Sequence, residues 1–227
     1  MKSISAHLQE ILEFAISIVW LGGAFGIAIA GGYEAFFNGS DIKTAVIQSI
    51  IVVFFAFVFH EMAHRIVARR YGLHAVYHMW MPGLFISIIA AMLGFIFAAP
   101  GGVHLEFSGT TQDAQKKIGL ISLMGPLVNV FLSLVFFALA MGIVYFADSI
   151  PDAATYTHWL PAINLFWGVF IIGIEIDAWL AVFNLLPFGN FDGFKVFAWS
   201  KKIWVVTFVA AIGLYIGMQF AQGWLSG

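Results

Sequence analysis

Five stretches of the chain are each long and apolar enough to cross a bilayer as a helix, and this decides its class. They lie at about 14–33, 44–68, 118–147, 160–186 and 203–224, against the roughly 20 residues a spanning helix needs. Only 10% of the 227 residues are charged and 62% are hydrophobic. Soluble domains carry about 25% charged residues to cover a water-facing surface. The expectation is an all-α polytopic membrane protein, a single membrane-embedded domain over 1–227, with the lipid bilayer as its solvent. No segment separates as a soluble module, and "MKSISAHLQEILEF" lacks a signal-peptide cleavage pattern, so the first apolar stretch is expected to stay as a helix. No basic block or low-complexity tract suggests nucleic acid as a partner, and the net charge of -2 points to none. Cysteine is absent, which removes disulfides, thiolate metal sites and cysteine nucleophiles. Any metal must be held by His, Asp or Glu.

A sixth apolar stretch, about 79–99, is ambiguous, with Pro82 and Gly83 near its start and Gly94 inside it. Charge bias narrows the choice. Arg65, Arg69 and Arg70 end the second stretch, Lys116 and Lys117 precede the third, and Lys195, Lys201 and Lys202 lie between the fourth and fifth. Cytoplasmic loops are enriched in Lys and Arg. All of these fall on one side only if 79–99 enters and leaves by the same face, as a re-entrant hairpin, or crosses twice in short pieces. The expected count is therefore five or six transmembrane segments. Irregular backbone at membrane depth needs protein or a water-filled cavity to satisfy it. Beyond the hairpin, Val103, Leu105 and Phe107 alternate with His104, Glu106 and Ser108, a period of two that predicts a short strand.

The polar residues that interrupt the second stretch are the chemical signal. "FHEMAHRIVARR" places His60 and His64 four apart, with Glu61 beside the first. On a helix both imidazoles share one face, about 6 Å apart along the axis. Two such rings can hold one zinc ion while the glutamate acts on the metal's water. An ionisable group inside a membrane helix is costly and functional by default. Imidazoles merely reaching for the interface would account for the histidines but not for Glu61.

A catalytic zinc needs a third protein ligand and an open position. The extended zincin pattern fails, because Arg70 stands ten positions after His60. His74 and His78 follow the arginines and Gly72 and are expected in an interfacial loop. Glu175 and Asp177 lie well inside the fourth stretch. In "FNLLPFGNFDGFKVF", Asn184, Pro187, Gly189 and Asn190 break the helix end. Asp192 follows at the same end of the bundle as "HEMAH", so His60, His64 and Asp192 can meet, with Glu61 alongside. An ordinary Asp-Gly turn is the plainer alternative for Asp192.

"HEMAH", "GPLVN" (125–129) and "NLLPFGNFDG" (184–193), in this order, resemble the site-2 proteases, which are intramembrane zinc metalloproteases. The resemblance covers a three-helix catalytic core of about 44–200, in a minimal form without a PDZ or CBS module. It implies one zinc ion per chain held by His60, His64 and Asp192, with Glu61 as general base and proton carrier. It implies that Asn184 holds substrate or stabilises the oxyanion. It also implies that a peptide binds as an added strand, for which 101–108, with Val103 and Leu105, is the edge. The implied substrate is a transmembrane protein cut within or near its membrane helix, by a multi-pass enzyme of the cell membrane whose active site lies toward the cytoplasm. Phe191 stands where the family usually has Leu or Pro, and an apolar hairpin follows the zinc helix where a mainly strand-forming segment is usual. Other membrane proteases with this zinc motif take a later glutamate as third ligand, and an inactive metal-binding chaperone or scaffold is the non-enzymatic alternative.

Asp177 lies seven residues before Asn184, on roughly the same helix face, and so is a candidate to line the cleft. A hydrogen-bonded acid packed against another helix is the alternative. "GGAFGIAIAGG" (22–32) has small residues at spacing four, the pattern of close helix packing.

Overall fold

The computed structural model describes residues 2–38, 41–105 and 111–225. Its architecture is an all-α bundle with one small two-stranded sheet. The long helices are α1 (Lys2–Ala30), α3 (Ile42–Arg70), α5 (Thr111–Asp148), α6 (Ala153–Asn184) and α8 (Lys201–Leu225); shorter ones are α2 (Glu34–Phe37), α4 (Met81–Met92) and α7 (Asp192–Trp199). Among the described residues, five helices are long and apolar enough to span a membrane. These are the five stretches the hydropathy indicates. Two of the long helices begin on aspartate caps, Asp41 accepting from the Thr44 N–H and Asp152 from the Thr155 N–H. Those hydrogen bonds, from the Thr44 side chain and the Thr155 backbone foremost, hold both carboxyls below the usual carboxylate range.

The region between α3 and α5 differs most from the sequence expectation. His78 lies in a strand, not a loop: β1 (Ala75–Met79) pairs antiparallel with β2 (Gly101–Leu105). The expected strand over 101–108 is present to Leu105; residues 106–108 and the Leu105 side chain lie outside the described residues. Met79 stands opposite Gly101, so the segment between them begins and ends at the same place. It goes out as α4, only 12 residues long, and returns as extended chain from Phe95. Its far end reaches the end of α1, where the Tyr33 N–H donates to the Met92 carbonyl at 2.8 Å.

α1 binds this unit with its polar first turns, which extend well before the apolar stretch at 14–33. The Tyr77 N–H donates to Glu10 Oε1 at 2.8 Å and the Met79 N–H to Glu13 Oε2 at 3.0 Å. Glu10 also pairs with Arg65 of α3, which ties the sheet to the helix bearing the histidines. The Tyr77 ring is fully buried, and its hydroxyl lies 2.8 Å from that of Ser17. Gly22 and Gly26 lie directly against the backbone of Ile50 and Val46, which is the close α1–α3 approach the glycine spacing predicts.

The sheet is therefore one-sided. In an antiparallel pair, alternate residues point their N–H and C=O groups away from the partner strand. Tyr77 and Met79 point theirs to α1, so their opposite numbers Val103 and Gly101 point theirs to the far edge of β2. The β1 edge is covered by carboxylates; the β2 edge faces a cavity.

Candidate metal centre

α3 carries His60 and His64 on one face, about 15 and 9 Å before its end at Arg70, counting 1.5 Å per residue. α7 starts at Asp192, and its first turn fits against the end of α6 because residue 193 is glycine: a Cβ there would lie 2.1 Å from the Leu185 backbone. This docking brings Asp192 to the histidines across 132 residues of sequence. His60 Nε2 and His64 Nε2 are 3.0 Å apart, and Asp192 Oδ2 lies 3.3 Å from the first and 3.0 Å from the second. All three residues are buried, and among the described residues they form the one such group able to hold a metal.

The hydrogen bonds around the rings fix what the three converging atoms are. His64 Nδ1 is 2.7 Å from the Ile121 carbonyl, which can only accept, so Nδ1 carries the proton. His60 Nδ1 is 2.5 Å from Asn129 Oδ1, while the Asn129 amide nitrogen donates to the Ala56 carbonyl and to Asp177. In neutral imidazoles both Nε2 atoms then present bare lone pairs, facing a carboxylate oxygen. Three donor atoms packed this closely could hold a metal ion at their centre. A tetrahedral site with metal–ligand bonds of 2.0–2.2 Å has ligand–ligand edges of about 3.3–3.6 Å. The observed edges of 3.0–3.3 Å are a few tenths of an ångström tighter, so a small outward shift of the donors would seat such an ion, and each histidine has the outer partner that metal-binding imidazoles use.

Two further groups shape the charge. Lys195 Nζ is 3.2 Å from Asp192 Oδ1, which leaves Oδ2 for the centre. Burial alone would raise the Asp192 carboxyl; His64, then Lys195, and the imidazole hydrogen bonds outweigh it and hold the group well below the usual carboxylate range. Glu61 is buried beside the centre, and its Oε2 has no hydrogen-bond partner among the described residues.

The centre opens into a cavity of about 1020 Å³ whose wall includes Glu61, Asn184, Asp192, Lys195 and the β2 residues from Gly101 to His104. Asn184 and Val103 thus share the cavity with the metal group. Asn184 spends its amide on the Leu180 carbonyl of its own helix, at 3.0 Å. Asp177 does not line the cavity. It is fully buried between helices, bonded to Asn129, which is the packed-acid alternative. Glu175 is likewise absent from the cavity wall.

Three participants escaped the sequence reading. Asn129 ends the "GPLVN" motif but gave no hint of binding His60. Lys195, three residues after Asp192, was visible only as a charge. Gly125 opens the same motif with no sign of a role at the site, yet a Cβ on it would lie 2.5 Å from both Nε2 atoms.

A helical membrane protein with a buried His–His–Asp group and an adjacent glutamate is, as a class, a membrane metalloprotein built for hydrolysis. Comparison with known proteins gives the family. The chain is 34% identical over 213 residues to a protein of Methanocaldococcus jannaschii named "Putative zinc metalloprotease MJ0611", covering 93% of this chain and 95% of that one. It is 25% identical over 195 residues to "Putative zinc metalloprotease YwhC" of Bacillus subtilis, covering 74% and 82%. The chain belongs to this zinc metalloprotease family. No family model matches it, and no solved structure does.

Proposed function

We propose that the chain is an intramembrane zinc metalloprotease of the site-2 type, hydrolysing peptide bonds within or near a transmembrane helix of membrane-protein substrates. The observation that carries this reading is the joining of three features in one cavity: the His60, His64 and Asp192 group, Glu61, whose Oε2 has no partner among the described residues, and the backbone edge of β2. His60, His64 and Asp192 would hold one zinc ion per chain, which would supply a Lewis acid for the scissile carbonyl and acidify water. Glu61 takes one proton from the attacking water. The hydroxide oxygen bonds to the carbonyl carbon, the C–N bond breaks, and Glu61 returns its proton to the leaving nitrogen. Asn184 is placed on the cavity wall to turn its amide toward the carbonyl oxygen as charge develops there. The third ligand is an aspartate that opens a short helix, unlike the later glutamate of other membrane proteases with the same zinc motif.

A helical peptide bond is shielded by its own hydrogen bonds, so the substrate must be extended before it is cut. Val103 and Gly101 offer outward N–H and C=O groups for an added strand. Among the described residues this is the open edge, because Glu10 and Glu13 cover the other. Arg69, Arg70, Lys116, Lys117, Lys201 and Lys202, at the ends of α3, α5 and α8, support by charge bias a site toward the cytoplasmic face.

Proline at two neighbouring positions of β2 separates substrate pairing from sheet integrity, because proline has no N–H to donate. Val103→Pro removes an N–H that faces the cavity, so cleavage is expected to fall about tenfold or more, through KM above all, with zinc content unchanged. Gly102→Pro removes an N–H that faces His78 and is expected to lower thermal stability as well. Equal activity in Val103→Pro and the wild type would exclude strand addition at β2. The function itself is tested by incubating the zinc-loaded chain in proteoliposomes with a single-span substrate and mapping the product termini by mass spectrometry. A cut inside or at the edge of the apolar span supports the proposal. Zinc-loaded protein that cuts no span, yet binds one, would indicate the scaffold.

A further inference from the structure

We propose that Asp177 is a positioning residue for the metal centre: acting through Asn129, it fixes the orientation in which His60 presents Nε2. The inference rests on the metal reading of the His60, His64 and Asp192 group. Asp177 sits on α6 with 0% of its surface exposed. A carboxyl buried inside a membrane helix is expensive to keep, and helix packing alone does not call for one.

Its contacts show what it does. Asp177 Oδ1 accepts from Asn129 Nδ2 at 2.7 Å, and the same nitrogen donates to the Ala56 carbonyl at 3.3 Å. Both partners offer acceptors, so the Asn129 amide has one favourable rotation. The reverse would set its oxygen against the Ala56 carbonyl and the acid, and its NH₂ against His60 Nδ1. In the favoured rotation Asn129 Oδ1 faces His60 Nδ1 at 2.5 Å and accepts its proton-bearing N–H. The lone pair of His60 is thereby left on Nε2, pointed at His64 and Asp192. Ala56 is one turn before His60 on α3, so α3, α5 and α6 are registered against each other at this one amide. Asp177 touches neither the cavity nor a ligand. Its effect on the metal therefore passes through Asn129.

The test uses the full-length, zinc-loaded chain in detergent micelles and reads the rate of zinc loss to excess EDTA. Melting temperature is recorded in parallel. Removing such an outer partner typically weakens metal binding 10–100-fold. Asp177→Leu is therefore expected to speed zinc loss about 10–100-fold. Asp177→Asn keeps a carbonyl acceptor at the same place and is expected to stay near the wild-type rate. Asn129→Asp alone sets two acids face to face and is expected to lose zinc quickly. Adding Asp177→Asn to it restores a donor and an acceptor to the pair in swapped order, leaves only the Ala56 carbonyl without its donor, and is expected to slow the loss part of the way back. Wild-type zinc retention in Asp177→Leu, with only the melting temperature lowered, would overturn the proposal and leave a packing role. So would a swapped pair no better than Asn129→Asp. If Asp177→Leu does not fold, the swapped pair decides. A wild-type chain that retains no zinc would instead overturn the metal reading itself.

Discussion

Glu61→Gln is expected to keep one zinc ion per chain and to lose peptide cleavage by roughly 10²–10⁴-fold, the contribution a positioned general base makes. Glutamine has the same shape and fits the same buried space, but it cannot take a proton from water. Zinc is expected to stay because the ligand group consists of His60, His64 and Asp192, with Glu61 outside it. Folding is expected to survive, since the change removes a buried ionisable group whose Oε2 has no partner among the described residues. Zinc content by atomic absorption and product formation from the same preparation give the two readings. Full activity would remove Glu61 from the chemistry, and loss of zinc would make it a ligand.

Gly125→Ala is expected to abolish metal binding, and activity with it, although it adds a single methyl group. α5 crosses α3 so closely here that a Cβ would lie 2.5 Å from His60 Nε2, 2.5 Å from His64 Nε2 and 2.6 Å from His60 Cε1. The methyl would occupy the space where the donor atoms converge. The rings cannot swing aside without losing Asn129 and Ile121 as partners for their Nδ1 atoms. Alanine favours the helix itself by about 1 kcal/mol over glycine, which partly offsets the crowding. The folded chain is therefore expected to persist without metal. Gly142, further along the same helix, has nothing within 4 Å of an added Cβ, and Gly142→Ala is the matched control, expected to bind zinc as the wild type does. Unchanged zinc affinity in Gly125→Ala would contradict the geometry of the centre.

The five spans were legible because a membrane helix is written as an uninterrupted apolar run, and the structure forms a long helix on each. His60, His64 and Asp192 could be grouped across their wide separation because only one polar, helix-breaking segment lay at the right end of the bundle. The apolar hairpin expected over 79–99 has its counterpart in a segment whose two ends meet at the pairing of Met79 with Gly101. β1 was not legible. "AVYHM" has no alternation of its own, and its outward N–H groups are held by Glu10 and Glu13, more than sixty residues earlier. α7 was hidden because its first residue, Asp192, is the candidate ligand, and Asp-Gly reads as a turn. The roles of Gly125, Asn129 and Asp177 exist only where three helices meet. That meeting leaves no period in the sequence, so "GPLVN" could be quoted as a motif but not explained.

The central claim is that two histidines of α3 and the first residue of α7 form one zinc site. Anomalous diffraction from crystals of the zinc-loaded chain, collected on both sides of the zinc absorption edge, tests it most directly. The expected result is a single strong peak about 2.0–2.2 Å from His60 Nε2, His64 Nε2 and Asp192 Oδ2. A peak held by other residues, or none between these three in catalytically active protein, would contradict the account.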